Sequence, residues 1–365
     1  MVVRVYLKQA WNLMKQNPLF STLYIVGTGI SIVMTMVIAI VYYVRLAPVY
    51  PETNRMRTLV VKSAKMTNDE STHSSNISYA MLKDWFYSLE SAEVSTGVSG
   101  TSYARVTNDK EEIPTYARYT DENFFRVFPL VFLEGKPFTE ADRRSGIHNV
   151  VLTDSYAQQL FGTTKGVVGK NFLMDYTNVK VVGVVKSGSF LTPDSYAQVY
   201  LPYSCRDGYD DEGSHWALGG YRVYILMKES KSVTDVQDEV LELVRKFNVS
   251  DMGDGWKLDL VGQPELYWHS TFRLWSNVAV DWGRVIWMFV GIFMVLLFVP
   301  AFNLSGMISA RMERQLPDLG IRKAFGASRR RLLVQIIWEN LLLTGLGTLL
   351  GLVIASVESV RKNSE

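Results

Sequence analysis

The sequence predicts a membrane protein in which α-helical transmembrane segments flank a large α+β domain outside the cytoplasm. Two observations predict this class. Long uncharged stretches gather near both ends of the 365 residues, and the segment between them alternates between strand and helix patterns. The formal net charge of +2 gives no global signal for nucleic-acid binding, and the single cysteine, Cys205, excludes an internal disulfide.

The first apolar stretch covers residues 21–44, 24 residues without a charge. About 20 helical residues cross the roughly 30 Å hydrocarbon core, so this length is sufficient. A cleaved signal peptide has a shorter apolar region of about 7–15 residues, and we therefore interpret the stretch as an uncleaved anchor. Residues 1–20 combine an apolar strip with basic residues and predict a helix in the cytoplasmic interface, although an extension of the first span fits the same pattern.

Two further apolar stretches follow near the C-terminal end. Residues 285–310 carry no charge, and Pro300 predicts a kink that neighbouring helices can accommodate. The last stretch, 341–357, is shorter and borrows length from the residues before it, so we place this span at 332–357. The tail is 358–365. The sequence thus predicts three transmembrane helices.

The basic residues predict the orientation of these helices. Residues 1–20 carry three Lys and Arg and no acid, and residues 311–331 carry seven Lys and Arg against two acids. Because cytoplasmic loops are enriched in Lys and Arg, both segments should be cytoplasmic. Residues 45–284 then lie outside the cytoplasm, and the length of this segment suits one large or two small domains.

The outside domain shows strand and helix signals in alternation. Six segments are predicted as strands: 57–64, 113–120, 148–152, 178–187, 198–203 and 221–228. Two amphipathic helices are predicted at 77–90 and 232–247. Their predicted buried positions are Ala80, Trp85, Leu89, Val236, Val240, Leu243 and Phe247. A further helix after 148–152 should be capped by Asp154 or Ser155.

Patterns typical of catalysis or metal binding are absent from the sequence. The stretch GTTKGVVGKN from Gly162 has Thr164 and Asn171 where a phosphate-binding loop needs glycine and Ser or Thr, so we predict a glycine-rich turn. The four histidines lack metal-ligand spacing, and no G-x-S-x-G nucleophile elbow occurs. We therefore expect neither an enzyme nor a metal site in this chain.

The basic loop 311–331 contains a predicted short helix. Pro317 suits its first position and Gly326 its end. Its small apolar face and flanking basic residues could dock against a cytoplasmic partner or dip into the lipid headgroups. The residues of this candidate site are Asp318, Gly320, Ile321, Arg322, Lys323, Phe325 and Gly326. On the third span, Gly347, Gly351 and Ala355 form a line of small residues that predicts a helix-packing face.

The stretch DLGIRKAFGASRRRLLVQIIWENLLLTGLGTLLGLVIA, from Asp318, resembles the pattern E-[IL]-G-[IL]-R-[KR]-A-[LF]-G-A…Q…E of FtsX/MacB-type ABC transporter permeases. The outside segments YARYTDENFFRVFPLVFLEGKPFTEAD and NVVLTDSYAQQLFGTTKGVVGKNFLM resemble the MacB-like periplasmic core domain. The resemblance covers nearly the whole chain. Asp318 stands where the family usually has Glu, which preserves the charge.

The resemblance implies a multi-pass permease of the bacterial inner membrane with its large domain in the periplasm. Such a permease hydrolyses no ATP itself, because ATP and Mg²⁺ are bound by a partner ABC ATPase. It works as a homodimer or as a heterodimer with a similar permease, and an adaptor or outer-membrane partner is left open. The helix at 318–326 would transmit motion from the ATPase.

The family also implies a fourth span, and only eight residues follow Val357. On this ground we expect a shortened chain, an incomplete gene or a degenerate copy. The expected function is a permease subunit that couples ATP hydrolysis in its partner to movement of the periplasmic domain, for export or extraction of a substrate. The alternative is an FtsX-like transmembrane regulator of a cell-wall hydrolase, without transport.

Overall fold

The structure is a computed structural model that divides into two compact units. It describes residues 18–296 with gaps at 101, 109–110, 207, 211–215 and 251–254. Beyond these it describes residues 298, 317, 320–321, 324–325, 333–334, 337–338, 345 and 348–349. An α+β unit comprises Tyr43–Asp281, and the rest of the chain belongs to a second unit, here called the helical unit because its described residues are mostly helical.

The helix α1 (Pro18–Leu46) opens the described chain. Its segment Ile25–Leu46 has a mean hydropathy of 2.3 and, within the described residues, is the one helix long and apolar enough to cross a membrane. This helix coincides with the predicted first span.

The α+β unit contains fifteen strands in its described part. They are β1 (Thr58–Val61), β2 (Ala64–Thr67), β3 (Thr72–Ile77), β4 (Ala92–Ser99), β5 (Ser102–Asn108), β6 (Glu111–Thr120), β7 (Phe132–Gly135), β8 (Asn149–Thr153), β9 (Asn171–Met174), β10 (Thr177–Val185), β11 (Val199–Pro202), β12 (Leu218–Gly219), β13 (Tyr221–Met227), β14 (Lys257–Asp259) and β15 (Glu265–Leu266). The helices are α2 (Tyr79–Asp84), α3 (Phe124–Val127), α4 (Glu140–Arg144), α5 (Asp154–Phe161), α6 (Val233–Val249) and α7 (Tyr267–Ser270).

The first sheet is covered by α6. Its strands follow the order β14–β2–β3–β13–β1–β15, with β12 on β3 and β4 on β13. Helix α6 starts with a capping box between Ser232 and Asp235, which satisfies backbone donors of its first turn. Its apolar residues at helical spacing, Val236, Val240 and Phe247, join the buried cluster of this sheet. Burial of each such side chain stabilises the fold by about 1.5–3 kcal/mol.

The second sheet closes on itself. Its order is β7–β10–β8–β11–β6–β5–β9, and β9 pairs with β10 as well as with β5. Six strands therefore form a ring, with β7 added outside it. Strands β8 and β10 run parallel, as do β6 and β11, and the other pairs are antiparallel. A separate apolar cluster, including Val150, Val181 and Val199, fills this part of the unit.

A third apolar cluster joins the two sheets. Phe124 of α3 and Phe128, the C-cap of that helix, pack there with Tyr224 from the first sheet and Tyr200 from the second. The Phe124 and Tyr200 ring centroids lie 5.4 Å apart, and those of Phe128 and Tyr224 lie 5.2 Å apart. Aromatic pairs at such distances add to the stabilisation from burial.

The six predicted strands are present as β1, β6, β8, β10, β11 and β13. Helix α6 matches its prediction, and Leu243 is partly buried beside its fully buried neighbours. The helix predicted at 77–90 is shorter, since α2 ends at Asp84 and a 3₁₀ turn follows at Phe86–Ser88. The predicted cap of α5 was wrong by one or two residues, because Thr153 is the N-cap.

After the α+β unit, helix α8 (Trp282–Leu296) is apolar but shorter than α1 in its described part. The ring centroids of Tyr42 in α1 and Phe289 in α8 lie 5.0 Å apart, so the two helices are in contact within the helical unit. The predicted second span starts inside α8. The number of spans and the orientation of the chain stay predictions.

Candidate functional site at the chain connections of the α+β unit

The predicted cytoplasmic site is described in part. Ile321 and Phe325 are both exposed, and 88% of Phe325 is accessible. The Phe325 amide donates to the Ile321 carbonyl at 3.0 Å, which corresponds to one helical turn. Gly320 is also described and exposed. The remaining predicted site residues, Asp318, Arg322, Lys323, Gly326, Gly347, Gly351 and Ala355, lie outside the described residues.

The connection from α1 into the α+β unit is held by a buried ion pair. Arg55 and Glu52 expose 3% and 0% of their side chains, and the Arg55 Nε donates to Glu52 Oε2 at 2.8 Å. The Arg55 Nη1 also donates to the carbonyls of Val44 and, at 3.0 Å, Ala47. Carbonyls at a helix C-terminus lack intrahelical partners and carry partial negative charge, so a guanidinium suits this position.

The connection towards α8 is held in the same way. The Arg273 guanidinium pairs with Glu265 of β15, and both side chains are almost fully buried. Its Nη1 donates to the Val278 carbonyl at 2.7 Å and its Nη2 to the Val261 carbonyl at 2.9 Å. Strand β15 pairs with β1, where Val60 faces Glu265. The first connection leads into β1 and the second is paired to β15, so the two connections are attached to adjacent strands.

Tyr267 contacts groups from the first connection. The Arg55 guanidinium lies 5.3 Å from its ring centroid, and Lys62 Nζ lies 5.9 Å from it. Cations at these distances are attracted by the ring face. Burial raises the pKa of Tyr267 well above its usual range, and the nearby carboxylates of Asp194 and Glu52 raise it further. The hydroxyl therefore stays neutral.

Asp194 forms the centre of a second buried charge cluster, which joins the two sheets. Its carboxylate lies 3.1 Å from Lys62 Nζ and 3.2 Å from Arg222 Nη1 of β13. Burial alone would raise the pKa of Asp194, but Lys62 and Arg222 outweigh it and hold the pKa well below its usual range. Ser195, the next residue, donates to Glu52 at 2.7 Å. The β10–β11 connection is thus bonded to the α1 connection.

Gln263 bonds the main chain on either side of this cluster. Its side-chain carbonyl accepts from the Lys62 amide at 2.6 Å, and its Nε2 donates to the carbonyls of Ser63 at 3.1 Å and Leu260 at 2.9 Å. Since buried polar groups are costly without partners, these bonds fix the strand ends. The residues of this chain-connection network are Glu52, Arg55, Lys62, Asp194, Ser195, Arg222, Gln263, Glu265, Tyr267 and Arg273.

A further buried carboxylate, Asp121, lies where β6 ends. It accepts from Thr96 Oγ1 at 2.6 Å, Tyr87 OH at 2.5 Å and the Gly97 amide at 2.9 Å. Burial raises the pKa of Asp121 to about 6, although these hydrogen bonds lower it. Since Thr96 and Gly97 belong to β4, Asp121 ties the second sheet to the first.

The charged side chains of the network bond to other protein groups, so the arrangement is suited to fixing geometry. A buried ion pair contributes little net stability, but removal of one partner leaves an uncompensated charge. In the described part of the chain, no group of three or more His, Cys, Asp or Glu could hold a metal ion.

This network was not predicted from the sequence. The available signal was the charged residues close to each apolar helix, namely Glu52 and Arg55 after α1 and Arg273 before α8.

Two family models match this chain. The model of the MacB-like periplasmic core domain matches residues 20–243, more than half of the chain. The model of the FtsX-like permease C-terminal region matches residues 277–357. The chain belongs to the FtsX/MacB-type family of ABC transporter permeases, as the sequence resemblance predicted.

Curated relatives share about a quarter of the aligned residues. The macrolide export ATP-binding/permease protein MacB of Bdellovibrio bacteriovorus is 23% identical over 221 residues, which are 60% of this chain and 32% of the relative. The pyoverdine export ATP-binding/permease protein PvdT of Pseudomonas entomophila is 25% identical over 234 residues, 62% of this chain and 33% of the relative. The chain therefore spans about a third of the length of these relatives.

Similar solved structures are periplasmic or extracellular domains. The periplasmic region of MacB from Actinobacillus actinomycetemcomitans is 17% identical and covers 54% of this chain and 88% of that one, with a TM-score of 0.39. The extracellular domain of the ABC-type transporter YknZ from Gram-positive bacteria is 16% identical and covers 54% of this chain and 100% of that one, with a TM-score of 0.37.

Proposed function

We propose that this chain is the permease subunit of an ABC transporter and moves its periplasmic domain in response to ATP hydrolysis in a partner ATPase. The role would be export or extraction of a substrate. The named relatives MacB and PvdT are export ATP-binding/permease proteins, which supports this role. ATP and Mg²⁺ would be bound by the partner ATPase.

The observation that carries the proposal is the anchoring of both chain connections. Arg55 holds carbonyls at the end of α1, and Arg273 holds the Val278 carbonyl four residues before α8. Each guanidinium pairs with a buried carboxylate of the same α+β unit. A displacement of either connection would therefore reach the strands β1 and β15 and would not be absorbed by a slack linker.

The proposed topology has α1 and α8 as the first two of three spans in the bacterial inner membrane. The α+β unit is then periplasmic and the loop 311–331 cytoplasmic. The exposure of Ile321 and Phe325 supports a contact with the ATPase on the cytoplasmic side. In this proposal the permease works as a dimer, with the small-residue line at Gly347 as a helix-packing face.

Co-purification with a co-expressed ABC ATPase from the same genome tests the proposal. Phe325→Asp and Arg322→Glu should reduce both ATPase capture and stimulated ATP hydrolysis at least tenfold. Phe190→Asp is the matched control, because Phe190 is an exposed phenylalanine of the α+β unit, 64% accessible. It should leave both measurements unchanged. If Phe325→Asp and the control behave alike, the docking role is wrong.

A further inference from the structure

The segment 271–281, here called the Trp275 loop, leads from α7 to α8 and has a fixed conformation. The Arg273 Nη1 donates to the Val278 carbonyl at 2.7 Å, and the Val278 amide donates to the Trp275 carbonyl at 3.2 Å. The Asn277 side chain donates to Ser74 Oγ of β3 at 3.1 Å. The Asn277 bond and the ion pair of Arg273 with Glu265 tie both halves of the loop to β-strands, and the two internal bonds order the turn.

The loop directs apolar side chains outward. Leu274 is 65% exposed, Trp275 67% and Val278 48%. No charged residue lies between Arg273 and Asp281, and the Arg273 charge is buried against Glu265. Single exposed apolar residues are ordinary on protein surfaces, whereas three within five residues on an ordered turn form an apolar cluster of the kind that contacts a protein or a membrane.

The chain itself limits which partner can reach this cluster. Trp282, where α8 begins, lies four positions after Val278 and seven positions after Trp275. Since an extended chain covers at most about 3.6 Å per residue, these distances are at most about 14 Å and about 25 Å. Tryptophan is enriched at the membrane–water interface, where its ring is partly buried among lipid headgroups.

We propose that the Trp275 loop lies in the outer-leaflet interface of the bilayer, with Leu274, Trp275 and Val278 among the lipid headgroups. The partner is the lipid surface itself. The inference rests on the proposed crossing of the membrane by α1 and α8. The loop would hold the domain against the membrane at the point where the chain enters α8, so tilting of α8 would be resisted by lipid contact as well as by Arg273.

Depth measurements on the full chain in phosphatidylcholine vesicles test this proposal. Cys205→Ser removes the single cysteine, and Leu274→Cys or Val278→Cys then carries a nitroxide label. Power-saturation spectroscopy compares collisions of the label with oxygen, which concentrates in lipid, and with a water-soluble nickel chelate. Two matched controls use exposed residues: Ile30→Cys within α1 and Tyr176→Cys in the β9–β10 turn, 59% and 86% accessible.

The expected oxygen-to-nickel ratio at 274 and 278 is several-fold above that at 176 and below that at 30. If the oxygen-to-nickel ratio at positions 274 and 278 equals that at position 176, while the ratio at position 30 shows that α1 is in lipid, the loop proposal is overturned and the proposed topology stays intact. A water-like ratio at 30 overturns the topology and the loop proposal together. Protection of 274 from both reagents with dipolar broadening indicates that a second copy covers the loop, and this also overturns the proposal.

Discussion

The guanidinium of Arg273 and the carboxylate of Glu265 form an ion pair with 3% and 8% of their side chains exposed. Glu265 lies in β15 and Arg273 in the segment between α7 and α8, so the pair holds the chain near the point where it leaves the α+β unit. Two charges removed from water are tolerated there because each has a partner and Arg273 has further carbonyl acceptors. Single substitutions in the pair are thus the most direct test of its role.

Arg273→Met should destabilise the α+β unit by about 3–5 kcal/mol, since Glu265 would keep a buried charge without its partner. The matched control is Arg144→Met, whose pair with Glu140 is largely exposed. It should change stability by no more than about 1 kcal/mol. Urea unfolding of the full chain in detergent, followed by circular dichroism, measures both. Equal effects of the two variants would contradict the predicted role of the buried pair.

The double variant Arg273→Met/Glu265→Leu tests the same pair by removing both charges. Apolar replacement of both partners is often neutral or stabilising, so the double variant should be more stable than Arg273→Met alone. If the double variant loses as much stability as Arg273→Met and Glu265→Leu lose when each is measured alone and the two losses are added, the charges do not interact.

Asp121 should make the stability of the α+β unit fall as pH rises. Its folded pKa of about 6 lies above its ordinary value, so the folded state binds a proton more tightly than the unfolded state. Its stabilising contribution is present below about pH 4 and lost as pH rises through 6, on the order of 3 kcal/mol. The stability difference between wild type and Asp121→Asn should shrink by this amount from pH 4 to pH 7, measured by urea unfolding. A constant difference would refute the assignment.

Asp194 should have the opposite pH dependence. Its folded pKa is lowered by Lys62 and Arg222 despite burial, so its contribution is present above about pH 4 and lost as pH falls below that value. Asp194→Asn should therefore lose about 3 kcal/mol at pH 7 and show a smaller deficit at pH 2–3. The exposed Asp69→Asn serves as control, with little change at neutral pH. An Asp194→Asn deficit that does not depend on pH argues against the charge cluster.

Alanine substitutions at Gly135 and Gly162 distinguish the cost of a steric clash from the cost of backbone strain. Both have φ near +70°, where only glycine is unstrained. A Cβ at Gly135 would lie 2.1 Å from the Val182 carbonyl oxygen, whereas one at Gly162 would meet nothing within 4 Å. Gly162→Ala should cost about 1–2 kcal/mol, and Gly135→Ala at least about 2 kcal/mol more. Thermal unfolding of both variants compares them, and similar losses would show that the strand shifts to admit the methyl group.

The elements that could be predicted from the sequence are those whose pattern lies within one continuous segment. Helix α6 combines a capping box with regular apolar spacing, and β13 is a long apolar run, so both were found. Strand β3 was missed because its side chains are mostly polar and exposed, a pattern that resembles a loop. Its pairing with β2 and β12 depends on partners that the pattern of one strand does not specify.

The chain-connection network was not predictable for a related reason. Lys62 and Asp194 are 132 residues apart, and Glu52 and Ser195 are 143 apart. In the sequence each is an ordinary polar residue of the kind that usually faces water. Their burial follows from contacts between segments of the two sheets, such as Lys62 with Asp194 and Glu52 with Ser195. The motif at 318–327, predicted to be cytoplasmic, was identified because its residues are consecutive.

The pairing of β1 with β15 places Leu59 opposite Leu266, so the first and last strands of the α+β unit are neighbours. The unit thus has the form of an insertion whose two ends lie on adjacent strands. Its size and surface can diverge, or the whole unit can be exchanged for another, without lengthening the gap between the points where the chain leaves one helix and enters the next. New specificities could arise in this way by recombination of an entire module at two adjacent positions.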